Sequence, residues 1–286
     1  MHFTIGLAQI APRLGNLSAN LQRHIEVIQE ARAQGVDLLC FPELSLTGYT
    51  LRDQVPDLAL TLEPTESVWH ALFSAAGEMD VVVGFVERDR RHRFYIAAAY
   101  LSGGQILHVH RKVYLCTYTL FEEGRFLAAG DEFRAFDTRF GRIGMLICED
   151  FWHISSPYIM WLDGADLLLM MSSSPGRGLG KGSVLGSSES VENVNRSYAT
   201  FLTTYVAHCN RVGFEDGINF WGGSTVFGPD GDLVAHGPYF EEALLTATID
   251  LAQIRRTRQR LPLLRDEKHW LVLDSLRRLH DADEVK

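Results

Sequence analysis

Basic charge is what this sequence is short of. Its 286 residues carry 27 Lys and Arg against 36 Asp and Glu, a net charge of −9, and no Lys/Arg-rich run is expected to offset that locally. A phosphate backbone is bound through a local excess of cations, so nucleic acid is not an expected partner. Long hydrophobic runs are missing as well. The longest are strand-sized, well short of the roughly 20 residues of a membrane helix. The N-terminus, Met1-His2-Phe3-Thr4-Ile5-Gly6, has no basic stretch leading into an apolar one. Neither a membrane span nor a secretory leader is expected. Cysteine is sparse: Cys40, Cys116, Cys148 and Cys209 are widely spaced and form no CxxC pair. That pattern argues against a disulfide framework or a zinc site and for reduced thiols in a cytoplasmic protein. No composition break or low-complexity stretch marks a linker, so residues 1–286 read as one domain.

What is present is an alternation of strand-like and helix-like segments. Phe3 to Ala8 reads as a strand. Leu17, Leu21, Ile25 and Ile28 fall at helical spacing, and Gly35 stops that helix. Val36 to Phe41 is a near-continuous apolar run, the mark of a strand covered on both faces. A helix from Ser67 to Gly77 and a strand from Val81 to Val86 follow. Phe94 to Leu101 and Gln105 to Arg111 flank Ser102-Gly103-Gly104 as a hairpin. Further strands are expected at Ile143 to Ile147, Asp166 to Met171 and Phe201 to His208. The last is preceded by a helix with Val191, Val194 and Tyr198 on one face. Pro229-Asp230-Gly231-Asp232 reads as a turn between two late strands. Helices interspersed with strands buried on both faces predict an α/β sandwich.

Three apolar runs end in reactive groups. Val36 to Phe41 leads into Glu43, Gln105 to Val109 into Lys112, and Ile143 to Ile147 into Cys148. In α/β folds ligands bind at such strand ends. A cysteine attacks carbonyls as its thiolate and needs a base or a positive field to lose its proton. A desolvated Glu43 would have its pKa raised into the range useful for proton transfer. Lys112 would stabilise both thiolate and oxyanion, with the backbone N–H of Glu149 as a second donor. The bland alternatives are a buried inert thiol, a loop carboxylate and a surface lysine.

The residues around these groups carry a resemblance. Phe41-Pro42-Glu43-Leu44-Ser45-Leu46-Thr47-Gly48-Tyr49, His110-Arg111-Lys112-Val113-Tyr114-Leu115 and Leu146-Ile147-Cys148-Glu149-Asp150-Phe151-Trp152 resemble, in order and separation, the three signature blocks of the nitrilase (carbon–nitrogen hydrolase) superfamily. The likeness runs from Phe3 to about Asp266. It implies a four-layer α-β-β-α sandwich, with Glu43 as general base, Lys112 as electrostatic stabiliser and Cys148 as nucleophile. It also implies a second glutamate holding Lys112, for which Glu123 aligns better than Glu122. The implied reaction is hydrolysis of a small-molecule amide through a thioester. A nitrile would pass through a thioimidate, and no cofactor is implied.

Within the superfamily the chain is most similar to the glutaminase domain of glutamine-dependent NAD synthetases. The blocks are Arg111 to Glu123, Cys148-Glu149-Asp150-Phe151-Trp152, Gly164-Ala165-Asp166-Leu167 with Ser174-Pro175, and Asn210-Arg211-Val212-Gly213 through Gly222-Gly223-Ser224. Cys116 and Thr119 stand where that branch usually carries proline and glycine. No Ser-Gly-Gly-x-Asp-Ser motif follows, so ammonia feeding a separate synthetase partner is the alternative to a free-standing amidase. Tyr49, Tyr118, Phe121, Trp152, Ser174 and Arg177 are expected to line the substrate pocket, with core packing as the alternative for the aromatics. The loop Ser172 to Gly178 reads as a binding loop or a linker, and His153 as structural. Residues 262–286, carrying Trp270, Leu271, Leu273, Leu276 and Leu279, read as an amphipathic helical extension. The resemblance implies its use in a homodimer.

Overall fold

The computed structural model describes residues 2–177 and 185–284. Gly178, which closes the expected binding loop, and the last two residues of the expected extension lie outside the described residues. The strands come in chain order as β1 (His2–Gln9), β2 (Leu38–Cys40), β3 (Asp80–Arg88), β4 (Phe94–Ser102), β5 (Gln105–Arg111), β6 (Phe136–Thr138) and β7 (Gly141–Ile147). After these come β8 (Leu167–Ser172), β9 (Tyr205–Asn210), β10 (Val212–Glu215), β11 (Ile218–Trp221), β12 (Thr225–Phe227), β13 (Leu233–His236) and β14 (Ala243–Asp250). The helices are α1 (Leu17–Ala33), α2 (Val55–Leu58), α3 (Ser67–Ala76), α4 (Glu123–Phe126), α5 (Ser155–Leu162) and α6 (Gly186–Leu202), then α7 (Leu251–Arg260), α8 (Leu263–Asp266) and α9 (His269–Glu284).

Two six-stranded sheets are formed, in the orders β14-β1-β2-β3-β4-β5 and β13-β12-β9-β8-β7-β6. Strand periodicity assigns their faces. In β8, Leu167, Leu169 and Met171 point into the layer between the sheets. The alternate Leu168 and Met170 meet Met160 and Trp161 of α5 and Val191 and Ala199 of α6. On the other sheet, Leu39 and Val83 face Val27, Ile28 and Ala31 of α1 and Trp69 and Leu72 of α3. Each of the Leu, Val, Ile and Met side chains contributes roughly 1.5–3 kcal/mol by leaving water, and each alanine less. The result is the expected α-β-β-α sandwich.

Local signals explain the boundaries. The Asn16 side chain caps α1 by accepting the Ala19 N–H, and Gly35 takes the left-handed turn after the helix with φ +72°. The run Val36 to Phe41 yields a shorter strand than expected, parallel to both β1 and β3 and fully buried. Three expectations need correction. The strand expected from Phe201 begins at Tyr205, because α6 carries Phe201 and Leu202 and ends at Thr203 in a left-handed cap. The extension is two helices rather than one: Glu267 turns extended and accepts the Tyr158 hydroxyl at 2.9 Å, which breaks the run before α9. Leu263 and Leu264 pack back on the α5–α6 layer, whereas Trp270, Leu271, Leu273, Leu276 and Leu279 of α9 stay exposed. The β3–β4 turn does gather Arg88, Arg90, Arg91 and Arg93, a basic run after all, though Glu63 and Asp89 pair with Arg90 and Arg93.

One close approach sets the position of the first candidate site residue. A Cβ on Gly84 of β3 would lie 2.5 Å from the Leu44 amide nitrogen and would also strike the Pro42 carbonyl oxygen. The strand therefore needs glycine there for the loop carrying Glu43 to lie against it. Gly84→Ala is expected to lower unfolding free energy by about 2 kcal/mol through overpacking against backbone. Urea denaturation of the variant checks this.

Candidate active site

The ends of β2, β5, β7 and β8 converge. Lys112, the residue after β5, is anchored by its N–H on the Ile96 carbonyl. Its side chain is fully buried and its Nζ donates to Glu43 Oε1 at 2.9 Å and to Glu123 Oε1 at 2.8 Å. The other oxygen of Glu43 accepts the Ser173 N–H, just past β8, at 2.8 Å. Glu123 opens α4; its Oε2 accepts the Cys116 N–H at 2.9 Å and its Oε1 accepts the Tyr49 hydroxyl. Glu122 is exposed, so Glu123 is the glutamate that reaches the lysine.

Burial raises the Glu43 pKa, Lys112 opposes that and Glu123 adds to it; the net direction is upward. Burial alone would lower the Lys112 pKa, but Glu123 and Glu43 outweigh it and hold the ammonium well above the usual lysine range. A hydrogen bond with the Cys116 thiol, burial and the Glu43 carboxylate together push the Cys148 thiol well above its usual range, with Lys112 pulling it down. Burial and its neighbours thus favour the neutral thiol over the thiolate.

Cys148 ends β7 in a left-handed conformation, φ +48°, and begins a short 3-10 turn through Trp152. A non-glycine residue held there costs on the order of 1 kcal/mol, of the kind stored at functional turns. The Glu149 N–H is among the opening amides of that turn, which have no partner within it. Asp150 holds the turn. Fully buried, it accepts from the Ile147 N–H at 3.1 Å and pairs with His110 Nε2 at 2.8 Å. Its other oxygen accepts the Val113 and Tyr114 N–H groups, both at 3.0 Å. One carboxylate thereby ties the cysteine turn to the strand end carrying Lys112.

A cavity of about 350 Å³ opens in front of Cys148. Tyr118, Phe121, Trp152, Ser174 and Arg177 line it, together with Cys116 and Glu149. Tyr49 does not. It lies behind Glu123 on a separate cavity of about 80 Å³, with its ring edge against Phe121. Arg177 is held over the Phe121 ring at 4.9 Å and donates to the Thr119 hydroxyl at 2.8 Å. Thr119 itself is left-handed, φ +56°, a conformation that glycine would adopt without strain. The Tyr118 hydroxyl donates to Glu149 Oε2 at 2.7 Å. His153 stacks on Tyr114, ring centroids 3.5 Å apart, with its Nε2 3.7 Å from Glu149 Oε1. Among the described residues no group of three or more His, Cys, Asp or Glu side chains is placed to hold a metal ion.

The family profile described as carbon-nitrogen hydrolase matches residues 4–259. The chain belongs to the carbon–nitrogen hydrolase family. As a member it is a hydrolase acting on carbon–nitrogen bonds other than peptide bonds. Glutamine-dependent NAD(+) synthetases of Acinetobacter baylyi and Thermotoga maritima are 30% and 33% identical to this hydrolase, over 88% and 86% of its chain. The alignments span 45% and 42% of those relatives, so the chain covers less than half of their length. A solved carbon-nitrogen hydrolase from Helicobacter pylori shares the fold, with a TM-score of 0.85 at 23% identity over 96% of this chain and 98% of its own.

Two residues of the hydrolase's site were missed in the sequence. His110 and Asp150 lie inside the signature blocks, and the signal was their placement: ionisable groups two residues from Lys112 and Cys148. Lysine itself was a neglected signal. Only Lys112, Lys181, Lys268 and Lys286 occur in the chain, so a lysine at a strand end is not one of many. Asp150→Ala, which strands four donors, should lower stability by about 3 kcal/mol. Chemical denaturation measures it, and a loss below a few tenths of that would remove Asp150 as the tie between the two segments.

Proposed function

We propose that this hydrolase cleaves a small-molecule amide to ammonia and a carboxylate through a thioester on Cys148. The observation that carries the reading is the buried Lys112 ammonium bridging Glu43 and Glu123 beside the Cys148 turn. Glu43 takes the thiol proton as sulfur attacks the amide carbon. Lys112 and the Glu149 N–H hold the oxyanion, each such donor being worth about 2.7–4 kcal/mol. Glu43 returns the proton to the leaving nitrogen, and ammonia departs. Water, deprotonated by the same glutamate, then attacks the thioester and frees the acid. Glu123 and Tyr49 keep the ammonium in place throughout.

The cavity favours an ω-amide of an amino acid. Among the described residues it presents one guanidinium, Arg177, and one carboxylate, Glu149, which complement a zwitterionic head with its amide directed at Cys148. Delivery of ammonia to a separate synthetase is supported by the identity to synthetase relatives. Glutamine turnover with and without such a partner separates the two settings: a sharp rise on mixing favours the coupled one. The exposed apolar face of α9 supports a contact with a second copy. A chain ending at Leu261 should then lose its dimer mass in light scattering, and an unchanged mass would rule the extension out as the contact.

Ammonia release from glutamine, asparagine, ω-amides of keto acids and simple nitriles identifies the acyl group. On the best substrate, Cys148→Ala should lose activity by about 10⁴-fold or more while keeping its melting temperature. Full activity in that variant would sink the reading. The pH profile has a definite sign. Glu43 must be ionised, and its pKa is raised, so kcat/KM should fall on the acid side at a pH above the usual carboxylate value of about 4.3. Because Lys112 is held protonated, no alkaline loss through that lysine is expected below the ordinary lysine range.

A further inference from the structure

The four cysteines form two neighbouring pairs in different settings. Cys40 and Cys209 are fully buried between the sheets, with the Cys209 thiol donating to the Cys40 carbonyl oxygen at 3.2 Å. Cys116 and Cys148 instead line the same 350 Å³ cavity. Cys116 lies on the loop after β5, where its N–H is fixed by Glu123 Oε2 and its thiol donates to Glu149 Oε2 at 3.3 Å. Its side chain lines that cavity beside Cys148 and is one of the neighbours that push the Cys148 thiol upward. The hydrolytic cycle calls on the Cys116 N–H, through Glu123, but not on the Cys116 thiol, a buried nucleophile without a task on the cavity of the group that attacks substrate.

We propose that Cys116 and Cys148 are a peroxide-reactive dithiol, in which Cys148 is oxidised first and Cys116 resolves it as a disulfide that blocks the nucleophile. The proposal rests on Cys148 being the nucleophile of the proposed reaction. Hydrogen peroxide is small enough to enter a cavity that admits an amide. Glu43 accepts the Cys148 proton as sulfur attacks one peroxide oxygen. The O–O bond breaks, Cys148 becomes a sulfenic acid, and the released hydroxide takes the proton from Glu43 and leaves as water. Cys116 then attacks the sulfenic sulfur, giving its proton through Glu149, the carboxylate it already donates to. The S–S bond forms, the S–O bond breaks, and the hydroxide leaves as a second water. Two thiols lose two electrons and one peroxide becomes two waters. A small external thiol reverses the step by exchange. Cys40 and Cys209, with no exposure, serve as the internal control.

The test is peptide mapping of the full chain after brief peroxide treatment, with remaining thiols alkylated before digestion. The expected product is a linked peptide joining the segments of Cys116 and Cys148, lost on dithiothreitol treatment, while Cys40 and Cys209 are unchanged. In Cys116→Ser the same dose should carry Cys148 to sulfinic and sulfonic acids, which dithiothreitol does not reverse. On a substrate from the amide screen, ammonia release by the unaltered chain should fall at least about tenfold with peroxide and return with dithiothreitol. In Cys116→Ser it should fall and not return. Cys148 found as sulfinic acid beside an alkylated Cys116 in the unaltered chain would overturn the proposal. So would a map in which neither thiol changes at a dose that oxidises free glutathione. The map needs no turnover, so a linked peptide in a protein that hydrolyses none of the amides supports the dithiol and counts against the reaction alone.

Discussion

An ammonium ion removed from water sets the terms for everything around it. Lys112 has no exposed surface, and an isolated charge there would cost several kcal/mol. Two carboxylates 2.9 and 2.8 Å away offset that cost, but their own burial must be met in turn. It is met by the Ser173 and Cys116 N–H groups and the Tyr49 hydroxyl. Loops after β2, β5 and β8 and the start of α4 are therefore tied together by charge satisfaction, in addition to the packing of Leu44 and Leu46 in the core. The ammonium is therefore held in position before any ligand arrives, so placing its charge needs no reorganisation.

Cys148 is positioned differently. Its side chain has no ion pair; the backbone places it, through a strand that ends in a left-handed residue and a turn stapled by Asp150. Charge fixes Glu43 and Lys112, and backbone hydrogen bonds fix Cys148. Because Asp150 also binds the Val113 and Tyr114 amides, the two systems share one joint.

β2 and β7 were legible because both faces of each are covered, which leaves apolar runs that end abruptly near Glu43 and Cys148. The partly exposed β5 was legible from its hairpin with β4 and ends just before Lys112. Those ends are where the chain leaves the sheets, so the reactive groups were legible with them. Tyr49 was misplaced because sequence gives proximity to Glu43 but not direction: its hydroxyl turns behind Glu123 while its ring edges Phe121. The end of α6 was misjudged because Phe201 and Leu202 are apolar enough for a strand; the left-handed Thr203 decides it, and that is a backbone property. The break before α9 depends on a hydrogen bond from Tyr158, more than a hundred residues earlier, which no local pattern encodes.

The pairing of β1 with β14 has a kinetic meaning. His2 is opposite Asp250 and Gln9 opposite Ala243, and the Gln9 side chain donates to the Pro238 and Glu241 carbonyls. A strand synthesised early in this domain therefore waits for one synthesised late. Until then its outer edge offers unpaired amides and carbonyls to any extended chain nearby. Contacts of such long sequence separation also slow the search for the native topology. A nascent chain of this kind is in most need of chaperone cover during the interval before Asp250 is made.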